Sequence, residues 1–301
     1  MAVPEPRIEE IAQRHAIRPR VAPWVVIWRF ARAKPLGAAG GLLVLLLIVM
    51  ALLAKYIAPY PASEMHVADR LAAPGGKYLL GTDEFGRDQL SRIIFGAWVS
   101  LKVGLIAVGI GVGFGTVIGV ISGYFKGWTD MLIQRVMDAL MAFPGLVLAM
   151  VLIAGLGKSI TNVMIAIGIT FVPMVCRVAR ASVLSVSENQ YIEAAKAIGV
   201  PIHRMLGLHI LPNIAAPLII IATAGLGSAI LTEAGLSFLG LGTPPPAPSW
   251  GGMLTSAAGT MQRSSPWLTL YPGIAITLAV LGFNLLGDAL RDVWDPRLRG
   301  T

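Results

Sequence analysis

The stretch Glu193-Ala194-Ala195-Lys196-Ala197-Ile198-Gly199, running on to His209-Ile210-Leu211-Pro212, is a short, partly polar segment between two long apolar ones. Upstream, Ser185-Val186-Ser187-Glu188 and Ser187-Glu188-Asn189-Gln190 both have the form of a capping box. In such a box a hydroxyl and an acid or amide three residues on satisfy the first free amides of a helix. Tyr191, Ala195, Ile198 and Ile202 recur at helical spacing, one apolar stripe on an otherwise polar length of chain. Gly199 suits the left-handed conformation that ends a helix, and Pro201 suits the first turn of the next. The spacing predicts a short helix, a corner and a second helix leading into an apolar span. An element of this kind can seat its apolar face in a groove on a soluble partner.

Working outward, only 13% of the 301 residues are charged and 55% are hydrophobic, against about a quarter charged in ordinary soluble domains. The net charge of +8 does not point to nucleic acid, because the basic residues sit at the ends of apolar runs, where they set membrane topology. The single cysteine, Cys176, lies inside such a run, which excludes an intrachain disulfide and makes it a small core residue. The apolar run after Leu36 starts too late and is too long for a cleavable signal, and Lys55-Tyr56 follows it where a small-x-small site would be needed. It is expected to remain as a span.

Six uncharged stretches are each long enough for a hydrocarbon layer of about 30 Å: Leu36–Ala54, Val103–Phe125, Ala139–Gly157, Ser159–Cys176, Ile214–Thr232 and Trp267–Gly287. The third is expected to begin nearer Met131, with Arg135 and Asp138 pairing on one helix face. Ahead of the first, Pro23-Trp24-Val25-Val26-Ile27-Trp28-Arg29-Phe30-Ala31-Arg32 mixes aromatic and basic residues like a helix lying on the membrane surface. Six spans with the N-terminus inside gather residues 1–34, 126–135, 177–204 and the C-terminus on one side. Those segments hold sixteen of the 24 Lys and Arg, the bias of a cytoplasmic face.

Within the second span Gly111, Gly115, Gly119 and Gly123 repeat every four residues, a smooth face for close helix packing. Pro144 and Pro173 are expected to kink the third and fourth spans. Glu233 falls near the outer end of the fifth, where two readings stand: pairing with a neighbour, which is favoured, or lining a vestibule. Trp250, after the Pro244-Pro245-Pro246-Ala247-Pro248 run, suits the membrane interface. Gly157-Lys158-Ser159 ends like a phosphate-binding loop, but Leu152 stands where that loop requires glycine. Leu80-Gly81-Thr82-Asp83-Glu84-Phe85-Gly86-Arg87-Asp88-Gln89-Leu90-Ser91-Arg92 is rich in acids but lacks the ordered spacing of a calcium loop, so no metal is assigned.

The Glu-Ala-Ala, three residues, Gly pattern followed at fixed distance by Ile210, Leu211 and Pro212 resembles the signature loop of ABC-importer permeases. His209 stands where the general pattern has Ile. The 80–92 stretch, Gly235-Leu236-Ser237-Phe238-Leu239-Gly240-Leu241-Gly242 with the proline run, and Phe283-Asn284-Leu285-Leu286-Gly287-Asp288-Ala289-Leu290-Arg291-Asp292 with Asp295-Pro296-Arg297-Leu298-Arg299 are similar to the dipeptide, oligopeptide and nickel group, in its second, C-type permease. The resemblance spans residues 28 to 299.

The resemblance implies an all-α polytopic membrane protein with the transmembrane domain of a type I ABC importer. Its parts are a cytoplasmic tail with an interfacial helix (1–35), a first transmembrane helix (36–57), an extracytoplasmic segment (58–102) and a core permease domain (103–301). The coupling helix lies near 187–203. ATPase coupling falls to Glu193, Ala194, Ala195, Ile198, Gly199, Ile210, Leu211 and Pro212. The implied partners are a homologous second permease, one or two ATP-binding subunits, an extracytoplasmic solute-binding protein and membrane lipid, with no nucleic acid. The chain itself holds no cofactor and no catalytic residue; ATP and Mg bind the partners. The place is a bacterial inner membrane, with both termini cytoplasmic, and the cargo di- or oligopeptides. Two other classes compete. An ATP-independent channel or secondary carrier would not need the Glu193 loop. An intramembrane enzyme would draw on Asp138, Glu233, Asp288 or His209, yet no metal-protease or Ser/His motif accompanies them.

Overall fold

The computed structural model of the chain describes residues 23–257 and 265–294, and every structural statement below concerns those residues. The C-terminal Asp295-Pro296-Arg297-Leu298-Arg299 and most of the basic tail lie outside them. Ten helices carry the fold: α1 (Pro23–Ala33), α2 (Pro35–Leu52), α3 (Gln89–Phe125), α4 (Gly127–Met141), α5 (Gly145–Leu156), α6 (Ile160–Ser187), α7 (Gln190–Ala197), α8 (Leu211–Phe238), α9 (Trp250–Ala257) and α10 (Trp267–Trp294). Five helices are long and apolar enough to cross a membrane, and six spans result if the bent pair α4–α5 counts as one.

Several helices run well past the apolar stretches that announce them. α3 begins at Gln89, inside the segment expected to be an outer loop, because Asp88 caps it: its carboxylate accepts from the Ser91 amide at 2.7 Å. Ser159 caps α6 in the same way, accepting from the Asn162 amide at 3.1 Å. Between α3 and α4 the chain turns through Lys126 and Gly127, both at positive φ.

α3 and α6 lie side by side in parallel, and glycines set their separation. A Cβ on Gly115 would stand 2.6 Å from Val175 Cβ, one on Gly119 2.7 Å from Ala179 Cβ, and one on Gly123 3.0 Å from Val183 Cβ; one on Gly111 would meet Phe171 Cβ. With hydrocarbon outside there is no hydrophobic gain from helix association, so this close van der Waals fit is what holds the pair. The other long helices pack antiparallel. Gly40 of α2 meets Leu285 of α10, Gly227 of α8 meets Phe283 and Asn284, and Gly104 of α3 meets Ile230 of α8. The pairings define two ends. One carries the 58–88 segment, the start of α3 and α9; the other carries the end of α3, α7 and the start of α8.

The 58–88 segment folds on a buried charge group. Asp83 Oδ2 accepts from Arg87 Nε at 2.7 Å, and its Oδ1 accepts the amides of Phe85 and Arg87 at 2.9 Å. Gly86, at φ +74, leaves no room for a Cβ against the His66 carbonyl. Above this, Tyr60, His66 and Tyr78 cluster, each pair of ring centroids 5.5–5.9 Å apart.

Three expectations are corrected here, and the Glu233 pairing is specified. Pro144 does not kink one helix but separates two, α4 and α5 meeting at 91° across Ala142-Phe143-Pro144. Its ring and missing N–H cannot continue α4, whereas Pro173 stays inside an unbroken α6. Asp138 pairs not with Arg135 but with Arg177 of α6 at 2.6 Å, because α4 lies against α6. Trp250 is fully buried rather than interfacial; its Nε1 donates to the Ile93 carbonyl at 3.0 Å and its ring fills the space left by Gly96. Glu233 is fully buried, and the neighbours it pairs with are hydroxyls. Its Oε1 accepts from Ser237 at 2.6 Å and from Thr243 at 3.3 Å, tying α8 to the loop that follows it.

The glycine contacts give a direct test. Gly115→Ala in the detergent-solubilised chain is expected to lower its unfolding midpoint, at an overpacking cost of about 1–3 kcal/mol. Gly113→Ala meets nothing within 4 Å and is expected to leave the midpoint unchanged or raised, since Ala favours helix over Gly by about 1 kcal/mol.

Candidate functional site

α6 carries the chain straight to the site. Its last turns hold Ala179 and Val183, both fully buried against α3, and this packing extends the helix through Ser185 and Ser187. The two expected capping boxes therefore do not form: Ser187 ends α6, and Asn189 stands at the start of α7 in extended conformation without a side-chain cap. Local capping preference loses to tertiary contact. Asn189 instead donates from Nδ2 to the Val186 carbonyl at 3.0 Å, closing the corner between the helices.

α7 is two turns long, too short to hold its shape alone. Ile192 and Ala195 pin it, packing in one cluster with Val183, Met205, Ile210 and Ile214. The inward stripe is thus Ile192 and Ala195, so of the apolar stripe expected to dock on a partner only Ala195 turns inward. Tyr191, Ile198 and Ile202 face out, with Ile198 81% exposed, and Glu193, Ala194 and Lys196 are exposed beside them.

Gly199 ends α7 at φ +75. The Gly199 amide donates to the Lys196 carbonyl at 3.0 Å and the Val200 amide to the Ala195 carbonyl at 3.1 Å, the paired bonds of a Schellman stop. Nothing lies within 4 Å of a Cβ built there, so the constraint is conformational rather than steric. Pro201 starts the next turn, and Met205–Ile210 forms a π-helical turn that leads into α8. Wide turns of this kind gather at functional sites. Asn213 Nδ2 donates to the His209 carbonyl at 2.6 Å, and Pro212 falls in the first turn of α8.

The eight sequence-assigned residues divide by exposure. Glu193, Ala194, Ile198, Gly199, Leu211 and Pro212 are exposed, while Ala195 and Ile210 are buried. Those two support the platform and do not offer contact surface, a correction to the reading that Ala194 and Ala195 share a docking face. Ala195 lies three positions from the buried Ile192 and turns inward with it, whereas Ala194, about 100° away, faces out. Sequence reasoning misses Ile192 and Met205, both fully buried beneath the platform. The signal for Ile192 is its three-residue spacing from Ala195.

Among the described residues no group of three or more His, Cys, Asp or Glu could hold a metal. Asp138, Glu233, Asp288 and His209 lie on different elements: α4, α8, α10 and the π-helical turn. What the geometry provides is a mechanical element, a short exposed helix fixed to the ends of two long ones.

Comparison with known proteins shows the chain to be a permease subunit of an ABC importer, of the C-type kind. The chain belongs to the family described as binding-protein-dependent transport system inner membrane component, whose pattern matches residues 115–300; the N-terminal TM domain of oligopeptide transport permease C matches residues 22–74. It is 43% identical over 279 residues to the dipeptide transport system permease protein DppC of Alkalihalophilus pseudofirmus, covering 93% of this chain and 91% of that one. It is 41% identical over 278 residues to the glutathione transport system permease protein GsiD of Pectobacterium atrosepticum, covering 92% of each. To GsiD of Escherichia coli O157:H7 it is 42% identical over 279 residues, again covering 92% of each. The chain is a multi-pass inner-membrane protein.

A β-branched residue at a positive φ is strained by roughly 1–2 kcal/mol. Gly199→Val is therefore expected to lower transport while the amount of inserted chain, measured by membrane immunoblot, is unchanged. Gly199→Asn, which tolerates the left-handed region, is expected to keep most of the activity.

Proposed function

We propose that this chain is the C-type permease of an importer of short peptides, and that α7 is the coupling helix through which ATPase subunits drive it. The observation that carries the coupling role is that Tyr191, Glu193 and Ile198 stand exposed on and just after a short helix anchored by the fully buried Ile192. A large apolar side chain that is 81% exposed on a polar turn outside any span is a surface that a soluble partner would cover.

In this reading the α7 end faces the cytoplasm, as the lysine and arginine distribution favours. Both termini share that side, and the 58–88 segment meets an extracytoplasmic solute-binding protein. A homologous second permease completes the translocation path, and one or two ATP-binding subunits hold ATP and Mg. ATP closure of those subunits shifts α7, and the permease pair opens outward to receive cargo; hydrolysis resets it. The device works only because the ATPase binds α7 differently in its two states. Short peptides are the cargo class because the named relatives carry dipeptide and glutathione. The proposed parts keep 1–35 and 36–57, while 58–102 and 103–301 become 58–88 and 89–301 because α3 starts at Gln89.

The test is purification of the tagged chain in mild detergent from its native membrane, followed by mass spectrometry of what accompanies it. A second permease and ATP-binding subunits are expected. Ile198→Asp and Glu193→Lys are expected to remove the ATP-binding subunits while keeping the second permease, each costing well over about 1 kcal/mol at a contact of this kind. A chain that purifies alone and passes substrate without ATP would instead be a channel or secondary carrier.

A further inference from the structure

α4 is an unusual helix for a membrane subunit: Met137 is its one buried residue, and Trp128 and Leu132 stand 83% and 68% exposed. Its apolar anchorage is small, Met137 with the partly buried Ile133 and Leu140 against Val172 and Cys176 of α6. Charge supplies the rest. Arg180 of α6 grips Asp130 with two parallel bonds, Nε to Oδ1 and Nη2 to Oδ2, both 2.6 Å. Three residues back on the same face of α6, Arg177 donates to Asp138 at 2.6 Å. Asp130 also accepts from the Ser122 hydroxyl at the end of α3, and Gln134 donates to that hydroxyl at 2.9 Å. The Asp130 and Arg180 side chains are only 18% and 33% exposed, whereas the Arg177–Asp138 pair is nearly half exposed. The bidentate pair is thus the stronger of the two, since two-pronged contacts fix direction as well as distance and exposed pairs contribute little.

α6 runs without a break from Ile160 to Ser187, and the chain then turns into α7. Val183 of α6 shares its packing cluster with Ile192 of α7, so displacement of α7 enters α6. On the far side of α4, beyond the 91° bend, α5 places Ile153 in one cluster with Ile167 of α6 and Leu236 of α8, and Leu146 lies 3.6 Å from a Cβ built on Gly235 of α8. α4 is therefore the half of the bent segment that depends most on its ion pairs. We propose that Asp130 and Arg180 are positioning residues that bind α4 to α6 as one moving body, so that the bent segment follows α7 through the transport cycle. This rests on α7 being the ATPase-docking helix, and it adds the residues that carry the motion onward. An ion pair fits this role because the planar guanidinium holds α4 in direction against α6 while leaving the outer face of α4 free to slide.

The experiment uses the complete complex with spin labels on Trp128→Cys of α4 and Ser185→Cys of α6, both exposed; the native Cys176 is fully buried. The label-to-label distance is measured without nucleotide and with ATP trapped by vanadate. One distance common to both states is expected for the otherwise unaltered chain. In Asp130→Asn the distance is expected to broaden and to shift between states, and in the charge-exchanged Asp130→Arg/Arg180→Asp chain to return to a single value. In the same proteoliposomes, uptake of labelled dialanine and of glutathione per ATP hydrolysed should fall about two- to thirtyfold in Asp130→Asn and recover in the exchanged chain. A distance that changes between states in the otherwise unaltered chain overturns the proposal, whatever the variants do. So does an Asp130→Asn chain that keeps the single distance. Absence of ATP-binding subunits from the purified complex, seen before labelling, would instead mark failure of the docking reading itself.

Discussion

Backbone-to-backbone contact between α3 and α6 is the constraint on which the rest of this protein depends. In water the apolar faces of two helices would be driven together by burial, but in hydrocarbon both faces are already solvated by lipid. Association must come from fit, and Gly111, Gly115, Gly119 and Gly123 supply it by letting α6 lie against α3 with no glycine-side side chain between them. The consequence reaches the far end of the molecule. Because α6 is held along its length, it continues through Ser185 to Ser187 and places α7 directly at its end. The glycines thus set where α6 ends and where α7 stands.

Polar groups are handled in two ways. At one end, Asp83 is enclosed by Arg87 and two backbone amides, a complete set that lets a charge sit inside a small folded segment. Glu233 is treated differently: hydroxyls of Ser237 and Thr243 donate to one of its oxygens. It stitches the last turn of α8 to the proline-rich loop, against which Trp250 wedges between α3 and α8. At the other end the charges lie between helices rather than within a loop, and there Arg177 and Arg180 bind the poorly packed α4 to the well packed α6. One end is thus built as a folded cap and the other as helices joined by ion pairs.

Most of the architecture is legible in the chain because span length and the four-residue glycine repeat are properties of single segments. Five of the six apolar stretches each fall on a single long helix and the third is broken at Pro144, while the Gly199 stop reads the same in sequence and in geometry. Where sequence and structure part, a long-range contact decides. The caps at Ser185 and Ser187 are locally sound, but Val183 against α3 outweighs them. Asp138 has a partner three residues away in Arg135 and takes Arg177 instead, since α4 is laid on α6. Trp250 has the composition of an interface residue and is buried because Gly96 leaves a hole of its size. Ala195 reads like Ala194, and only packing on Ile210 and Met205 reveals which of two adjacent small residues points inward. Pro144 reads as a kink; the angle of the break depends on α5 docking against α6 and α8, which no local pattern encodes.

The central claim is that α7 meets the ATP-binding subunits on the inner side of the membrane. The most direct measurement is thiol cross-linking of Ile198→Cys in intact cells, with the linked partner identified by mass spectrometry and accessibility probed by a membrane-impermeant reagent from outside. Attachment to an ATP-binding subunit, with no labelling from outside until the membrane is opened, is the predicted result. Labelling of Ile198→Cys in sealed cells would place α7 on the wrong side and contradict the account.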